Sequence, residues 1–448
     1  MLQPARTAPE FLDRTVIYQL FLRSFTPQGT IKAAAGLLDH LAELGVDIVY
    51  LCPVAQSDDD ERQSYWSKRQ LASQLGNPKN PYRIKDFFRI DEEYGNDEDL
   101  LAFVRKAHNL GLKVMLDLVY LHCGPQAVFI EDQPDFVKRN PDGSVLYGPW
   151  NFPLINFEST GLREYLWRNM TYFVERFDVD GYRCDVGDGV PLDFWEEGRR
   201  RLEALKPEIV LLNEGTRPDY LLTAFDINYD FKWSALLLKC FKGESTAADL
   251  IAYWREQNEK LPVGGRCLKA IDNHDIANDS YDDRIETVLG GKAVEAALLV
   301  NFTLDGIPFL YNGYEVADTV RHSIYGNRFY GKNMFIDWTG ALTNRGKSRL
   351  TFMQSLTRLR HTQMALAGGA VAWLDHDQPE KVLAFTRTRD DEKLLVVVNC
   401  ADQPLRARID LDSIPDGCVL VRGAAAEETC GRLAVSLLPY GFLVARLD

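Results

Sequence analysis

Four short stretches each end an apolar run with polar groups: Asp117-Leu118-Val119-Tyr120-Leu121-His122, Gly181-Tyr182-Arg183-Cys184-Asp185, Leu212-Asn213-Glu214-Gly215 and Ile271-Asp272-Asn273-His274-Asp275. If the four ends converge, they assemble three carboxylates (Asp185, Glu214, Asp275), one arginine and two histidines. Two carboxylates across a glycosidic bond supply what its cleavage requires, a nucleophile and a proton donor. The nucleophile must be ionised, and Arg183, two residues from Asp185 and on the same face of a strand, is placed to keep it so. The charge of Asp185 would in turn push the pKa of Glu214 up, as a general acid needs. Asp275 fits positive charge developing at an anomeric carbon, and His122 and His274 suit sugar hydroxyls.

The elements that must position these groups follow from periodicity. Runs rich in Val, Ile and Leu at 16–21, 48–51, 113–118, 181–184, 209–213, 224–227, 267–271 and 307–310 alternate with helical patterns at 31–44, 97–110, 162–177, 193–205, 247–260 and 293–304. Eight such units predict an α/β fold, a closed (β/α)8 TIM barrel. A Pro-rich stretch, 122–157, breaks the rhythm and reads as a short excursion domain after strand three. A polar loop, 57–81, follows strand two. From residue 368 the pattern becomes alternating strands at 371–374, 382–387, 394–399, 405–409, 418–422 and 442–447, predicting a C-terminal antiparallel β-sandwich. The expected division is therefore 1–367, catalytic barrel with excursion 122–157, and 368–448.

Composition narrows the partners. The 448 residues carry a net charge of −14, which excludes the cationic face that nucleic acid or an anionic membrane surface requires. Aromatics make up 11%, enough to supply sugar-stacking rings as well as a core. The eight scattered cysteines, Cys52, Cys123, Cys184, Cys240, Cys267, Cys400, Cys418 and Cys430, lack metal-site spacing and read as reduced, buried thiols. With no apolar signal segment near the start, the expected location is cytoplasmic. Oligomeric state is left open. The Asp58-Asp59-Asp60-Glu61 run reads as a solvated loop, while Trp66 and Trp150 are either sugar platforms or loop seals.

At the four stretches the chain resembles the alpha-amylase family of glycoside hydrolases and transglycosidases. The resemblance extends to Val16-Ile17-Tyr18-Gln19, Leu41-Ala42-Glu43-Leu44-Gly45-Val46, Tyr82-Arg83-Ile84-Lys85-Asp86-Phe87, Pro153-Leu154-Ile155-Asn156 and Gly306-Ile307-Pro308-Phe309-Leu310-Tyr311-Asn312-Gly313. It implies Asp185 as nucleophile, Glu214 as acid/base and Asp275 as stabiliser. Asp117, His122, Arg183, His274 and Asn156 are implied around the sugar, with Tyr82 stacking on it. It implies retaining hydrolysis of alpha-glucosidic bonds in small gluco-oligosaccharides. Transglycosylation or phosphorolysis on the same carboxylates is the alternative, and a silent carbohydrate-binding protein a remoter one. Some positions depart from the family pattern. Leu121 stands where many members place an Asn calcium ligand, so no metal or other cofactor is expected. Asn80-Pro81 replaces His-Gly, and Gly215 replaces a bulky aromatic. Val186 resembles the residue of alpha-1,6-acting relatives.

Overall fold

The structure, a computed structural model, describes residues 3–279, 284–330, 334–411, 417–429 and 432–447. Its strands are β1 (Ile17–Leu20), β2 (Ile48–Leu51), β3 (Ala55–Ser57), β4 (Ile84–Ile90), β5 (Lys113–Leu118), β6 (Gly181–Cys184), β7 (Val210–Asn213), β8 (Ile227–Asn228), β9 (Arg266–Lys269), β10 (Ile307–Tyr311), β11 (Ala370–Trp373), β12 (Val382–Arg389), β13 (Glu392–Asn399), β14 (Leu405–Ile409), β15 (Gly417–Thr429) and β16 (Arg432–Leu447). Eight of them close a parallel barrel in the order β1-β10-β9-β8-β7-β6-β5-β2. The barrel strands are covered on both faces, which is why they read as continuous apolar runs with no alternation. The antiparallel pair β3–β4 stands outside the barrel and carries the loop between them.

The sequence places seven of the eight barrel strands to within a residue or two of where they lie, and shifts the other one. The run at 224–227 is mostly not strand. Ala224 closes the short helix Tyr220–Thr223, and the strand begins only after Asp226, whose carboxylate accepts from Leu211 N–H at 2.8 Å and from Arg199 at 2.5 Å. β9 ends at Lys269, two residues before the apolar run does, so Ala270 and Ile271 are buried outside the ladder. The pattern at 31–44 is two helices, Ile31–Ala35 and Leu38–Leu44, interrupted at Gly36. A long helix, Asn344–Thr362, was not read from the sequence because its inner face carries buried Arg349 and Arg360, which erase the apolar stripe.

The C-terminal strands form one sheet, β11-β12-β13-β16-β14, with β15 pairing along β16. β15 and β16 are far longer than the sequence pattern indicates. β16 bends at Tyr440, in a left-handed conformation at φ 56°: residues before the bend pair with β14 and those after it with β13. The bend gives the sheet two interiors. Phe385, Val396 and Val444 join the barrel's core, whereas Ala384, Val397 and Leu443 enclose a second one with Ile409 and Val435. Six cysteines are buried and unpaired; Cys418 is exposed, contrary to expectation, and Cys430 lies outside the described residues. Among the described residues no helix is long and apolar enough to cross a membrane.

Candidate active site

The predicted residues meet at the C-terminal mouth of the barrel. Asp185 follows β6, Glu214 follows β7, and His274 and Asp275 follow β9. Together with Tyr82, His122, Trp150, Phe152 and Val186 they line a cavity of about 570 Å³. Arg183 lies beneath its floor, fully buried, and binds three carboxylates. Nη1 donates to Asp117 Oδ1 and Oδ2 (2.8 and 3.0 Å) and to Asp185 Oδ1 (2.8 Å), while Nη2 stands 2.5 Å from Glu214 Oε1. Asp117 is therefore a support for Arg183 and does not face the cavity. Tyr50 and Tyr82 hydroxyls donate to its Oδ2 as well, at 2.5 and 3.0 Å.

Burial is the largest influence on all three acids, raising Asp117 and Glu214 and pushing Asp185 well above the ordinary carboxylate range against the pull of Arg183. Arg183 lowers Asp185, the direction expected of its place on the strand, but burial outweighs it. One guanidinium facing three buried carboxylates does not offset their burial, so both members of the Asp185–Glu214 pair hold their protons more tightly than ordinary carboxyls do. Asp275 differs. Burial would raise it, but His274 and Arg69 outweigh that and hold it at about 2. Arg69 Nη1 donates to Asp275 Oδ1 at 2.7 Å.

Burial lowers both His122 and His274 to about 4, so both are neutral at physiological pH. The His274 tautomer follows from its neighbours. Gln19 Nε2, a donor, lies 2.7 Å from Nδ1, which must accept; Nε2 then carries the proton and donates to the Tyr82 hydroxyl at 2.7 Å. The Gln19 amide is itself oriented by the His274 N–H donating to its Oε1 at 3.1 Å. Gln19, His274, Tyr82 and Asp117 thus form one directed chain. His122 Nε2 is 3.8 Å from Asp185 Oδ2, beyond hydrogen-bond reach, and its ring packs edge-on against Phe152 and Trp150.

The loop after β6 carries strain at a point of contact. Val186 has φ 45°, in the left-handed region that a β-branched residue avoids, and its N–H donates to Glu214 Oε2 at 2.8 Å. Gly215 answers a nearby crowding. Asp188 accepts from Thr216 N–H at 2.7 Å and Asn213 Nδ2 at 2.9 Å, and a Cβ on residue 215 would fall 2.0 Å from its Oδ1.

Other assignments change. Asn156 does not reach the cavity; it donates to Asp135 O at 2.9 Å and braces the excursion. Trp66 is buried, donating to Asp60 O at 3.0 Å, and so seals its loop, whereas Trp150 is 41% exposed on the cavity wall. The Asp58–Glu61 run is not a solvated loop. Asp58 and Asp60 are buried, and Arg83, also buried, lies 3.1 Å from Asp58 and donates to the carbonyls of Asp60 and Pro78 at 3.0 Å. At Leu121 the apolar side chain sits against Gly189, so that position offers no cation ligand. Among the described residues no group of three or more His, Cys, Asp or Glu is placed to hold a metal ion. Sequence reading missed Arg69, Ser67 and Tyr325, which come from loops without periodicity, and Gln19, a polar residue in an apolar strand.

Comparison with known proteins finds likenesses at both ends of the chain. A model described as "Alpha amylase, catalytic domain" matches residues 14–142, and "Maltogenic Amylase, C-terminal domain" matches 372–444. The two matched stretches are thus similar to an alpha-amylase catalytic domain and to a maltogenic-amylase C-terminal domain. It is 25% identical to a cyclomaltodextrinase of Geobacillus thermopakistaniensis, covering 98% of this chain and 78% of that one. It is 28% identical to alpha-amylase MalA of Haloarcula japonica, covering 94% and 60%. Among solved structures, the noncanonic maltogenic alpha-amylase AmyB from Thermotoga neapolitana superposes with a TM-score of 0.82 at 23% identity, over 98% of this chain and 100% of that one. An alpha-amylase from Lactobacillus plantarum superposes with 0.78 at 24% identity over the same shares. These likenesses carry the barrel and the C-terminal sheet.

Proposed function

We propose that this chain is a retaining glycoside hydrolase that cleaves alpha-glucosidic bonds of small gluco-oligosaccharides, with Asp185 as nucleophile, Glu214 as acid/base and Asp275 as stabiliser. The observation that carries the reading is the single buried guanidinium of Arg183 joining Asp185 to Glu214 beneath a cavity whose wall holds Asp275. Burial raises both members of the pair, and the reaction requires a proton on Glu214. A glycosidic oxygen arriving at Glu214 and positive charge growing at the anomeric carbon beside Asp185 both favour that placement. Asp185 then attacks the anomeric carbon while Glu214 gives its proton to the leaving oxygen. In the second half Glu214 takes a proton from water, whose oxygen displaces Asp185, so the anomeric configuration is retained. Tyr82, fixed by His274 and Asp117, offers its ring to the sugar.

Names among the relatives support an alpha-glucan substrate: cyclomaltodextrinase, maltogenic alpha-amylase and neopullulanase. Residues 1–367 are the catalytic unit in this reading and 368–448 an accessory one. Buried unpaired cysteines and the likeness to an intracellular maltogenic amylase of Bacillus subtilis support a cytoplasmic location. The test is turnover of alpha-glucosides by Asp185→Ala and Glu214→Gln, with product anomers followed by NMR. Each variant loses at least a thousandfold in kcat, and the wild type releases the alpha anomer first. Near wild-type rates in either variant, or a beta first product, overturn the assignment.

A further inference from the structure

The cavity is walled at one end. The loop after β2 and the loop after β10 meet there: Ser67 Oγ is 3.3 Å from the Tyr325 hydroxyl, and Asn77 Nδ2 donates to Tyr325 O at 3.0 Å. Arg23, just beyond β1, is ion-paired with Glu93 at 2.7 Å and donates to the carbonyls of both loops, Lys79 O at 3.2 Å and Ile324 O. Ser67, Asn77, Tyr325, Arg23, Glu93 and Ile324 are at most 4% exposed, so the junction is packed as an interior.

Barrel topology says which end this is. β2 and β10 flank β1, and β7, which carries Glu214, lies four strands from β1 in either direction around the circle. The wall therefore stands diametrically opposite the acid. The acid must face the leaving group, so the wall faces the glycosyl unit being removed, on its non-reducing side. Asn80 and Tyr82 both line the cavity and are two residues apart, at most about 7 Å along the chain, so the wall stands close beside the ring proposed to stack on the sugar. On the other side, the loop after β8 carries Phe231, 44% exposed. With Trp150 and Ile276 it lines a groove that shares Ser67, Arg69, Trp150 and Asp275 with the cavity. Its exposed rings offer apolar faces to the leaving part of the chain.

We infer that this site works only from the non-reducing end, removing one glucosyl unit at a time from linear alpha-gluco-oligosaccharides, and that it does not open rings. The inference rests on the hydrolase reading above and sets the chain apart from relatives named cyclomaltodextrinase. The experiment uses 4-nitrophenyl maltoheptaoside, the same compound capped by a benzylidene acetal across O4 and O6 of its non-reducing unit, the corresponding isomalto-oligosaccharide pair, and β-cyclodextrin. Glucose is expected as the first product from an uncapped member. The capped one is expected to be cut at least fiftyfold more slowly, with no ring opening. Removing the junction in Ser67→Ala/Tyr325→Ala is expected to raise the capped-to-uncapped ratio at least tenfold. Equal cleavage of capped and uncapped substrate, or ring opening at a comparable rate, overturns the inference and leaves the hydrolase reading standing. Cleavage of neither member of either pair overturns both.

Discussion

Replacing Arg183 by Met removes the one charge that Asp117, Asp185 and Glu214 share, at nearly constant side-chain length. Breaking a buried ionic cluster by deleting one partner costs about 3–5 kcal/mol, because the remaining charges stay buried and unpaired. Spread over the 448 residues, an unfolding entropy of about 2.1 cal/mol/K per residue converts that cost into a Tm lower by about 3–5 °C at neutral pH, if the chain unfolds as one unit. The loss must depend on pH, and its direction follows from the carboxylates. All three already have folded pKa values above their unfolded ones through burial, so the folded state binds protons more tightly. Stability from that source is present below the unfolded values near about 4 and declines as pH rises towards the folded ones. Without Arg183 the folded values climb further, and the decline deepens and extends to higher pH. The Tm difference between wild type and Arg183→Met, measured by calorimetry, is therefore expected to be small at pH 4 and largest at pH 8. An equal difference at both ends, or none at pH 8, would refute the picture of three buried acids held by one guanidinium.

Gly215→Ala places a Cβ 2.0 Å from the Asp188 carboxylate; overpacking of this kind costs about 1–3 kcal/mol. Because the next residue is Glu214, kcat is expected to fall together with Tm, whereas a stable variant with full kcat would separate Asp188 from the acid. Arg83→Met deletes a buried guanidinium that holds the loop after β2, so trypsin is expected to cut between residues 57 and 81 in the variant and not in the wild type, and KM to rise with the displacement of Ser67 and Arg69. The pH dependence of kcat/KM is expected to be bell-shaped, with its acid limb above the ordinary carboxylate value of about 4, since burial raises both members of the Asp185–Glu214 pair. An acid limb at or below pH 4 would show that burial does not raise the pair.

The barrel was legible because its strands are buried on both faces and stop where polar residues begin, a pattern that needs no knowledge of partners. Asp185, Glu214 and Asp275 were legible for the same reason: each is the polar stop of an apolar run. The misplaced strand at 224–227 shows where that logic ends, since Ala224 and Phe225 are as buried as any strand residue and are buried instead at the end of a short helix. Buried charge is the larger blind spot. Arg23, Arg83, Arg349, Arg360 and Arg387 are all interior, and each lies against carboxylates or carbonyls distant in sequence, so no local pattern distinguishes them from surface arginines. Arg69 and Tyr325 escaped for a related reason. They stand in loops where spacing carries no signal, and only closure of the barrel brings β2 and β10 to either side of β1. Asn156 erred in the opposite direction: a motif placed it at the sugar, and the fold uses it to brace a turn.

The balance of charge around the cavity explains why neutral histidines suit it. Asp117, Asp185, Glu214 and Asp275 face Arg183 and Arg69, so carboxyl groups outnumber guanidinium groups four to two. A glycosyl unit in its ground state is neutral and finds no ionic partner there. In the proposed cycle the anomeric carbon becomes positive only as the bond breaks, so the excess negative charge acts on the transition state and not on the bound sugar. Protonated His122 and His274 would cancel that excess and add repulsion at the same carbon. Burial prevents this by holding both at about 4, below the working range. The apolar packing that covers these rings, Phe152 and Trp150 on His122 and Tyr82 on His274, therefore has an electrostatic consequence as well as a steric one. It keeps both imidazoles beside the cavity neutral while leaving their ring nitrogens able to donate and accept hydrogen bonds.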